Sequence, residues 1–286
     1  MRRIEGLKEL AGAYDSLLCD VWGVLHNGLA AYPAAVDALL RFRETAGPVA
    51  LITNAPRPAP PIREQLRGLG VPDGAYDVLV TSGDVTRMAI AERPGVRLLP
   101  LGPDRDRSFF EGLDIVIASE EDAELIACTG LVDDTSETPD DYRSLFERLI
   151  ARGLDMVCAN PDIVVERGDK LVYCAGALAR LYAEMGGEAV LVGKPHAPIY
   201  DAAKRELAGK GGTRILAVGD GLPTDIRGAV ENRIPALFIT GGIHAADFGP
   251  HDAPDEARVA ARLSAEGLEA VAYLPALAWD GANHSA

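Results

Sequence analysis

No apolar run in the 286 residues approaches the roughly 20 that a bilayer-crossing helix requires. Basic side chains are also scarce: 28 Lys and Arg stand against 43 Asp and Glu, a formal net charge of −15. Polyanions are held by clustered Lys and Arg, so this balance argues against a nucleic-acid partner, and the surplus acid reads as a solvated surface. The four cysteines, Cys19, Cys128, Cys158 and Cys174, show no C-x-x-C or other metal spacing and sit mostly among apolar neighbours, as small buried thiols do. Basic residues at the N-terminus meet Glu5 and Lys8 before any apolar stretch begins, so no secretory leader is read and a reduced, cytoplasmic setting away from membranes is expected. No G-x-G-x-x-G follows the first strand, which removes the main sign of a dinucleotide site.

What is present is an alternation of short apolar runs and helical stripes. Leu17-Leu18-Cys19-Asp20 carries an apolar run straight into an acid and then into the turn around Gly23. Such a run reads as a buried parallel strand that delivers one carboxylate at its C-terminal edge, where open α/β sheets bind ligands. The alternative is an acid that only caps the next turn. Pro33 to Thr45 has helical spacing, and Val49 to Ile52 is a second buried strand ending at Thr53-Asn54. A right-handed crossover then makes Asp20 and Thr53 neighbours on one sheet edge.

Residues 4–13 read as a leading helix, and Ala55 to Pro61 as a stiff linker into a helix over 62–69. Strands are expected at 78–82, 96–101, 115–118, 156–159, 189–192, 215–218, 236–239 and 270–274. Helices are expected over 84–91, 142–151, 173–185, 199–207, 224–232 and 255–268. Length allows two domains. The expected division is a parallel-sheet, Rossmann-like core of residues 1–82 and 189–286, with 83–188 inserted as a second α/β domain.

Four sheet-edge positions carry chemistry: Asp20, Thr53, Lys194 in Gly193-Lys194-Pro195, and the acids of Gly219-Asp220-Gly221-Leu222-Pro223-Thr224-Asp225. Gathered together, Asp20, Asp220 and Asp225 against Lys194 leave a charge of −2, which calls for a cation. Hard oxygen ligands completed by water and a substrate phosphate suit Mg²⁺, and such a site can hold the charge of phosphoryl transfer.

The order Asp20, Thr53, Lys194, Asp220, Asp225 resembles the haloacid-dehalogenase-like hydrolases, and most of all their class IIA branch of nitrophenyl-phosphate and pyridoxal-phosphate phosphatases. Leu51-Ile52-Thr53-Asn54, Thr81-Ser82, Asn160-Pro161-Asp162 and Ala175-Gly176-Ala177-Leu178 extend the likeness along nearly the whole chain. The resemblance implies that the inserted segment is a cap of the C2 type. It implies a phosphatase for a small phosphorylated metabolite, with Asp20 as the nucleophile that forms an aspartyl-phosphate and Thr53 bonding the transferring group. Lys194 would order Asp20 and offset charge. Asp220 and Asp225 would hold Mg²⁺ with Asp20, and Asn54, Asn160 and Asp162 would bind substrate. The branch includes cap-mediated dimers, so a homodimer is among the partners implied.

One position departs from the pattern. Most phosphatases of this kind carry a second Asp two residues after the nucleophile, as acid and base; here that residue is Trp22. Its backbone carbonyl can still ligate a metal, while proton transfer from its side chain is lost. Three readings compete: cleavage restricted to good leaving groups, a substitute such as His26, or a phospho-ligand binder with little turnover. A metal-free dehalogenase is weighed against by the acids near 220 and the large insertion. Arg57 reads as an exposed linker arginine with substrate contact as the alternative, and His196 as a helix-start residue.

Overall fold

Apolar runs become strands and amphipathic stripes become helices in the structure, a computed structural model that describes residues 1–167 and 170–281. In chain order these are β1 (Arg2–Arg3), α1 (Lys8–Ala11), β2 (Ser16–Asp20), α2 (Pro33–Thr45), β3 (Val49–Thr53), α3 (Ala59–Leu69), β4 (Val78–Thr81) and α4 (Ser82–Ala91). There follow β5 (Val96–Leu101), β6 (Ile115–Ile117), β7 (Leu125–Cys128), α5 (Arg143–Ala151), β8 (Asp155–Cys158), β9 (Val164–Arg167), β10 (Lys170–Tyr173) and α6 (Ala175–Glu184). The last are β11 (Ala189–Leu191), α7 (Ala197–Gly209), β12 (Ile215–Gly219), α8 (Arg227–Glu231), β13 (Ala236–Ile239), α9 (Glu256–Ala265) and β14 (Ala272–Leu274). The chain divides into two compact units. The first comprises Met1–Thr53, Pro60–Val80 and the residues from Tyr200 on; the second comprises Asn54–Ala59 and Thr81–Ile199.

The first unit is built on a sheet of order β1-β14-β13-β12-β2-β3-β4. The pairings of β12 with β2 and of β2 with β3 are parallel, and every residue of β2 and β3 is buried. Continuous apolar runs such as Leu17–Cys19 are what a strand covered on both faces requires. In α2, Pro33 takes the first helical position, where its missing N–H costs nothing, and Ala35, Ala38, Leu39 and Phe42 form the buried stripe. An ion pair anchors the far end of that helix. Arg43 grips Asp77 through Nε at 2.8 Å and Nη2 at 2.5 Å, and Asp77 also accepts the Val49 N–H.

The second unit holds a parallel sheet of order β11-β8-β7-β5-β6 and an antiparallel hairpin of β9 and β10. Pro100 lies within β5, but β6 pairs only with Val96–Leu98, so the missing N–H faces a side where the partner has already ended. The core gathers Phe146 and Tyr182, edge to face at 5.1 Å, around Met156, Cys158 and Leu178. The buried Tyr182 hydroxyl donates to the Leu154 carbonyl at 2.6 Å, so its polar end is satisfied.

Several expectations change. The leading helix shrinks to Lys8–Ala11, with Gly12 closing it. The proposed linker is partly helix, because Pro60 and Pro61 occupy the first turn of α3. Both β7 and the β9–β10 hairpin arise where no strand was read. Residues 189–191, expected in the core, hydrogen-bond to β8 in the second sheet. The expected helix over 224–232 opens as a π-helical turn, Leu222–Ile226, before α8. No helix among the described residues is long and apolar enough to cross a membrane.

Candidate active site

Parallel strands put their ends together. Cys19 pairs with Val218 and Asp20 with Ile52, so the C-terminal ends of β2, β3 and β12 share one edge of the first sheet. Asp20 closes β2 and Thr53 closes β3, both buried, and Asp220 follows β12 directly. The turn after Asp220 brings back Asp225. One carboxylate oxygen from each of Asp20, Asp220 and Asp225 then lies within 4.8 Å of the others.

The backbone around these acids is shaped to admit them. A Cβ at Gly23, whose φ is +83°, or at Gly242 would strike the Asp220 carboxylate, so both positions need glycine. Asp220 Oδ2 accepts the Ile243 N–H at 2.7 Å. Asp225 Oδ2 accepts the Gly221 N–H at 2.9 Å, which locks the π-helical turn over the end of β12. A Cβ at Gly219 would collide with Asp225 itself. Tyr200 supports the same turn by donating its hydroxyl to the Thr224 carbonyl at 3.2 Å.

Three buried carboxylates at this range repel one another strongly unless a cation lies between them. All-oxygen donors of this kind fit a hard divalent ion with water completing its shell, so the residues present suit the metal that their pattern implied. The Trp22 carbonyl is not used by the local backbone bridge, which runs from Gly23 N to the His26 carbonyl and from His26 N to the Val21 carbonyl.

Trp22 stands half out of the protein, 52% exposed, with its ring edge-on to His26 at 5.2 Å. Gly28, at a φ of +86°, leaves the room the indole occupies. His26 is no free base. It is buried, its Nδ1 accepts the Gly28 N–H at 3.0 Å, and burial pushes its pKa below the ordinary histidine value.

In the second unit the Asn54 carboxamide is a clamp. Its Oδ1 accepts the Lys194 N–H at 2.7 Å, and its Nδ2 donates to the Lys194 carbonyl at 3.1 Å and to Asp162 Oδ1 at 2.9 Å. A Cβ at Gly193 would press on both Asn54 and Pro161, so glycine is needed there. Lys194 is buried and joins Pro195 through a cis peptide bond. Asn160 turns its Oδ1 back to the Asp162 N–H at 3.0 Å.

The structure thus gathers Asp20, Asp220 and Asp225 in one unit, and Asn54, Asn160, Asp162 and Lys194 along one chain of bonds in the other. Sequence reading missed Tyr32, whose phenol is raised first by burial and then by the charge of Asp220, and the Gly242-Ile243 segment that cradles that acid. The only signal was Thr240-Gly241-Gly242 following an apolar strand, at the sheet edge where ligands bind.

Comparison with known proteins agrees with this architecture. A family model for haloacid dehalogenase-like hydrolases matches residues 17–116, and an HAD-hydrolase-like model matches residues 191–265. A crystal structure of a haloacid dehalogenase-like hydrolase from Brucella suis 1330 is 46% identical, with a TM-score of 0.82 over 96% of this chain and 99% of that one. D-glycerol 3-phosphate phosphatase of Mycobacterium tuberculosis (strain ATCC 25618 / H37Rv) is 28% identical over 84% of this chain and 67% of that protein. A glycerol phosphate phosphatase from the same organism, solved in complex with calcium, superposes with a TM-score of 0.65 at 24% identity over 82% of this chain and 68% of that one. The p-nitrophenyl phosphatase from Archaeoglobus fulgidus, 19% identical over 92% and 96% of the two chains, shares the fold with a TM-score of 0.72. The chain belongs to the haloacid-dehalogenase-like hydrolases, and its fold is that of their class IIA phosphatases.

Proposed function

We propose that the protein is a Mg²⁺-dependent phosphatase for a small phosphorylated metabolite, working through an aspartyl-phosphate on Asp20. The observation that carries this reading is the acid trio at the strand ends, with its three carboxylate oxygens inside 4.8 Å. When bound, the metal offsets the charge of the trio and of the incoming phosphate. We take the sheet that ends in Asp20, Thr53 and Asp220 as the catalytic core and the second sheet as the inserted cap, with Gly193-Lys194-Pro195 counted to the core.

Asp20 supplies the nucleophile. One of its oxygens attacks phosphorus, the bond from phosphorus to the ester oxygen breaks, and that oxygen leaves with the electron pair. Water then attacks the acyl phosphate; the bond to Asp20 breaks, and inorganic phosphate and a proton are released. Thr53 bonds the transferring group, and Lys194 offsets its charge. Asn54, bonded at both ends of its amide, holds the Lys194 segment and Asp162 in place.

Proton transfer to the leaving oxygen is where this chain differs. The Trp22 indole cannot supply it, and His26 is buried and bonded through Nδ1. Leaving groups that depart without a proton, such as carboxylates of acyl phosphates and nitrophenolate, are therefore favoured, and poor ones lose the 10²–10⁴-fold that a positioned acid contributes. Trp22 also motivates a second reading, a phospho-ligand-binding protein with little turnover.

Phosphate release from a panel of phosphate esters and acyl phosphates, with and without Mg²⁺, decides between them. Metal-dependent release that favours acyl and aryl phosphates supports the enzyme. Tight binding of phosphate esters with no release from any member of the panel supports the binder.

A further inference from the structure

The second unit contains a cavity of about 360 Å³, near the lower end of the roughly 300–1,000 Å³ of small-molecule sites. Its polar lining comes from segments distant in sequence: Arg57 before α3, Arg105 and Asp106 after β5, Thr129 and Asp134 after β7, and Asn160 after β8. The lining also includes apolar Leu131, Val165 and Val172 and the aromatic Tyr173.

The polar groups differ in depth and in sign. Asp106, Thr129 and Asn160 are more than nine-tenths buried, whereas Arg57 and the side chain of Arg105 are exposed. Arg105 pairs with Asp134, whose side chain is only 7% exposed. Among the described residues, Asn160 Nδ2 donates to no protein acceptor; the bonds of this residue run to its Oδ1 and its backbone carbonyl. That nitrogen is left to donate to a ligand or to water in the cavity that Asn160 lines. Room for the Thr129 hydroxyl is provided by Gly102, where a Cβ would strike it. Burial pushes the Asp106 carboxyl above the usual carboxylate range, against the lowering effect of Thr129, Arg105 and Arg57.

Two guanidiniums and two carboxylates cancel. A ligand of net negative charge meets Asp106 and Asp134, and a cation meets Arg57 and Arg105. What satisfies acceptors and donors alike, without charge, is a group that both gives and takes hydrogen bonds. Hydroxyls do this, and their carbon skeleton offers C–H surface to Val165, Val172 and Tyr173. We infer that this cavity binds a neutral polyhydroxylated group: the carbon chain or ring of a polyol or sugar. The ligand is either the organic part of a phosphorylated substrate or a free polyol acting as an effector. The cavity reading stands independently of phosphatase activity.

Saturation-transfer NMR on the full chain, with glucose, ribose and glycerol as probes and glutarate and putrescine as charged competitors, tests it. Saturable binding of at least one polyol is expected, undisturbed by either competitor. It weakens at least fivefold in Thr129→Val and in Arg57→Gln, two variants at opposite depths, each checked for native near-ultraviolet circular dichroism. Displacement by glutarate or putrescine, or equal binding in folded variants, or no polyol binding at all, would overturn the assignment. Repeating the titration on Asp20→Asn with glucose 6-phosphate separates the two sources. A phosphate ester at least tenfold tighter than glucose makes the cavity the substrate's; equal affinity makes it an effector site. Polyol binding retained in a protein that releases no phosphate from any ester would remove the phosphatase reading and leave this one standing.

Discussion

The acid trio of the first unit and the cavity of the second are opposite solutions to burying charge. In the first, Asp20, Asp220 and Asp225 share one sign, and glycines and backbone N–H groups hold Asp220 and Asp225, which keeps the three close at the expense of repulsion that a metal relieves. In the second, Arg105 pairs with Asp134, and Asp106 feels the charges of Arg105 and Arg57, so the lining carries two charges of each sign. Concentrated charge suits chemistry on a phosphate; cancelled charge suits recognition of a neutral group.

The contrast is broken most severely at Trp22. Trp22→Asp restores a carboxylate where an acid and base could act. Phosphate release from alkyl phosphates is expected to rise on the order of 10²–10⁴-fold, with little change for acyl phosphates. A flat response across both classes, measured as kcat/KM, would show that proton transfer does not limit this protein. Gly242→Ala pushes a methyl group into the Asp220 carboxylate. Mg²⁺ affinity by titration calorimetry is expected to fall roughly 10–100-fold, the range seen when groups that orient metal ligands are altered. Polyol binding should not move.

Asn54→Ala removes three hydrogen bonds, two of them to the Lys194 backbone. Leaving buried partners unsatisfied costs about 1–3 kcal/mol each, and a loss of at least about 2 kcal/mol is expected in urea melts. A change below 0.5 kcal/mol, the usual scatter for surface substitutions, would contradict the clamp.

The smallest effect belongs to the Arg43–Asp77 grip. Burial alone would raise the Asp77 carboxyl; the Arg43 guanidinium and the Val49 N–H outweigh it, and its pKa lies below the ordinary value of 3.8. A carboxyl depressed on folding contributes stability that is present above the unfolded value and is lost as pH falls through the folded one. Asp77→Asn should lower the Tm at pH 7 and lower it by less near pH 2. An equal penalty at both pH values would mean that shape, not charge, matters there.

How much was legible follows from range in sequence. Asp20, Thr53 and Asp220 each end an apolar run, and one rule of crossover handedness puts such ends on a shared edge, so local pattern sufficed for them. The role of Asn54 was not readable in this way: its partners lie 108 and 140 residues away, and nothing in Thr53-Asn54 announces them. The β9–β10 hairpin escaped because charged residues interrupt its short apolar pieces, and β7 because its four residues run straight into Thr129-Gly130 and are too few for periodicity to tell strand from loop. Arg57, read as a linker residue, is indeed exposed, yet it also lines the cavity; that depends on a fold of the second unit that local spacing does not encode.

The central claim is that Asp20 takes up phosphate. Incubation with acetyl phosphate and Mg²⁺, an acid quench and an intact-mass measurement test it directly. One phosphoryl group per chain is expected on the wild-type protein, mapped to Asp20 and absent from Asp20→Asn and from samples without metal. The same adduct on both proteins, or none on either while phosphate is still released, would contradict the account.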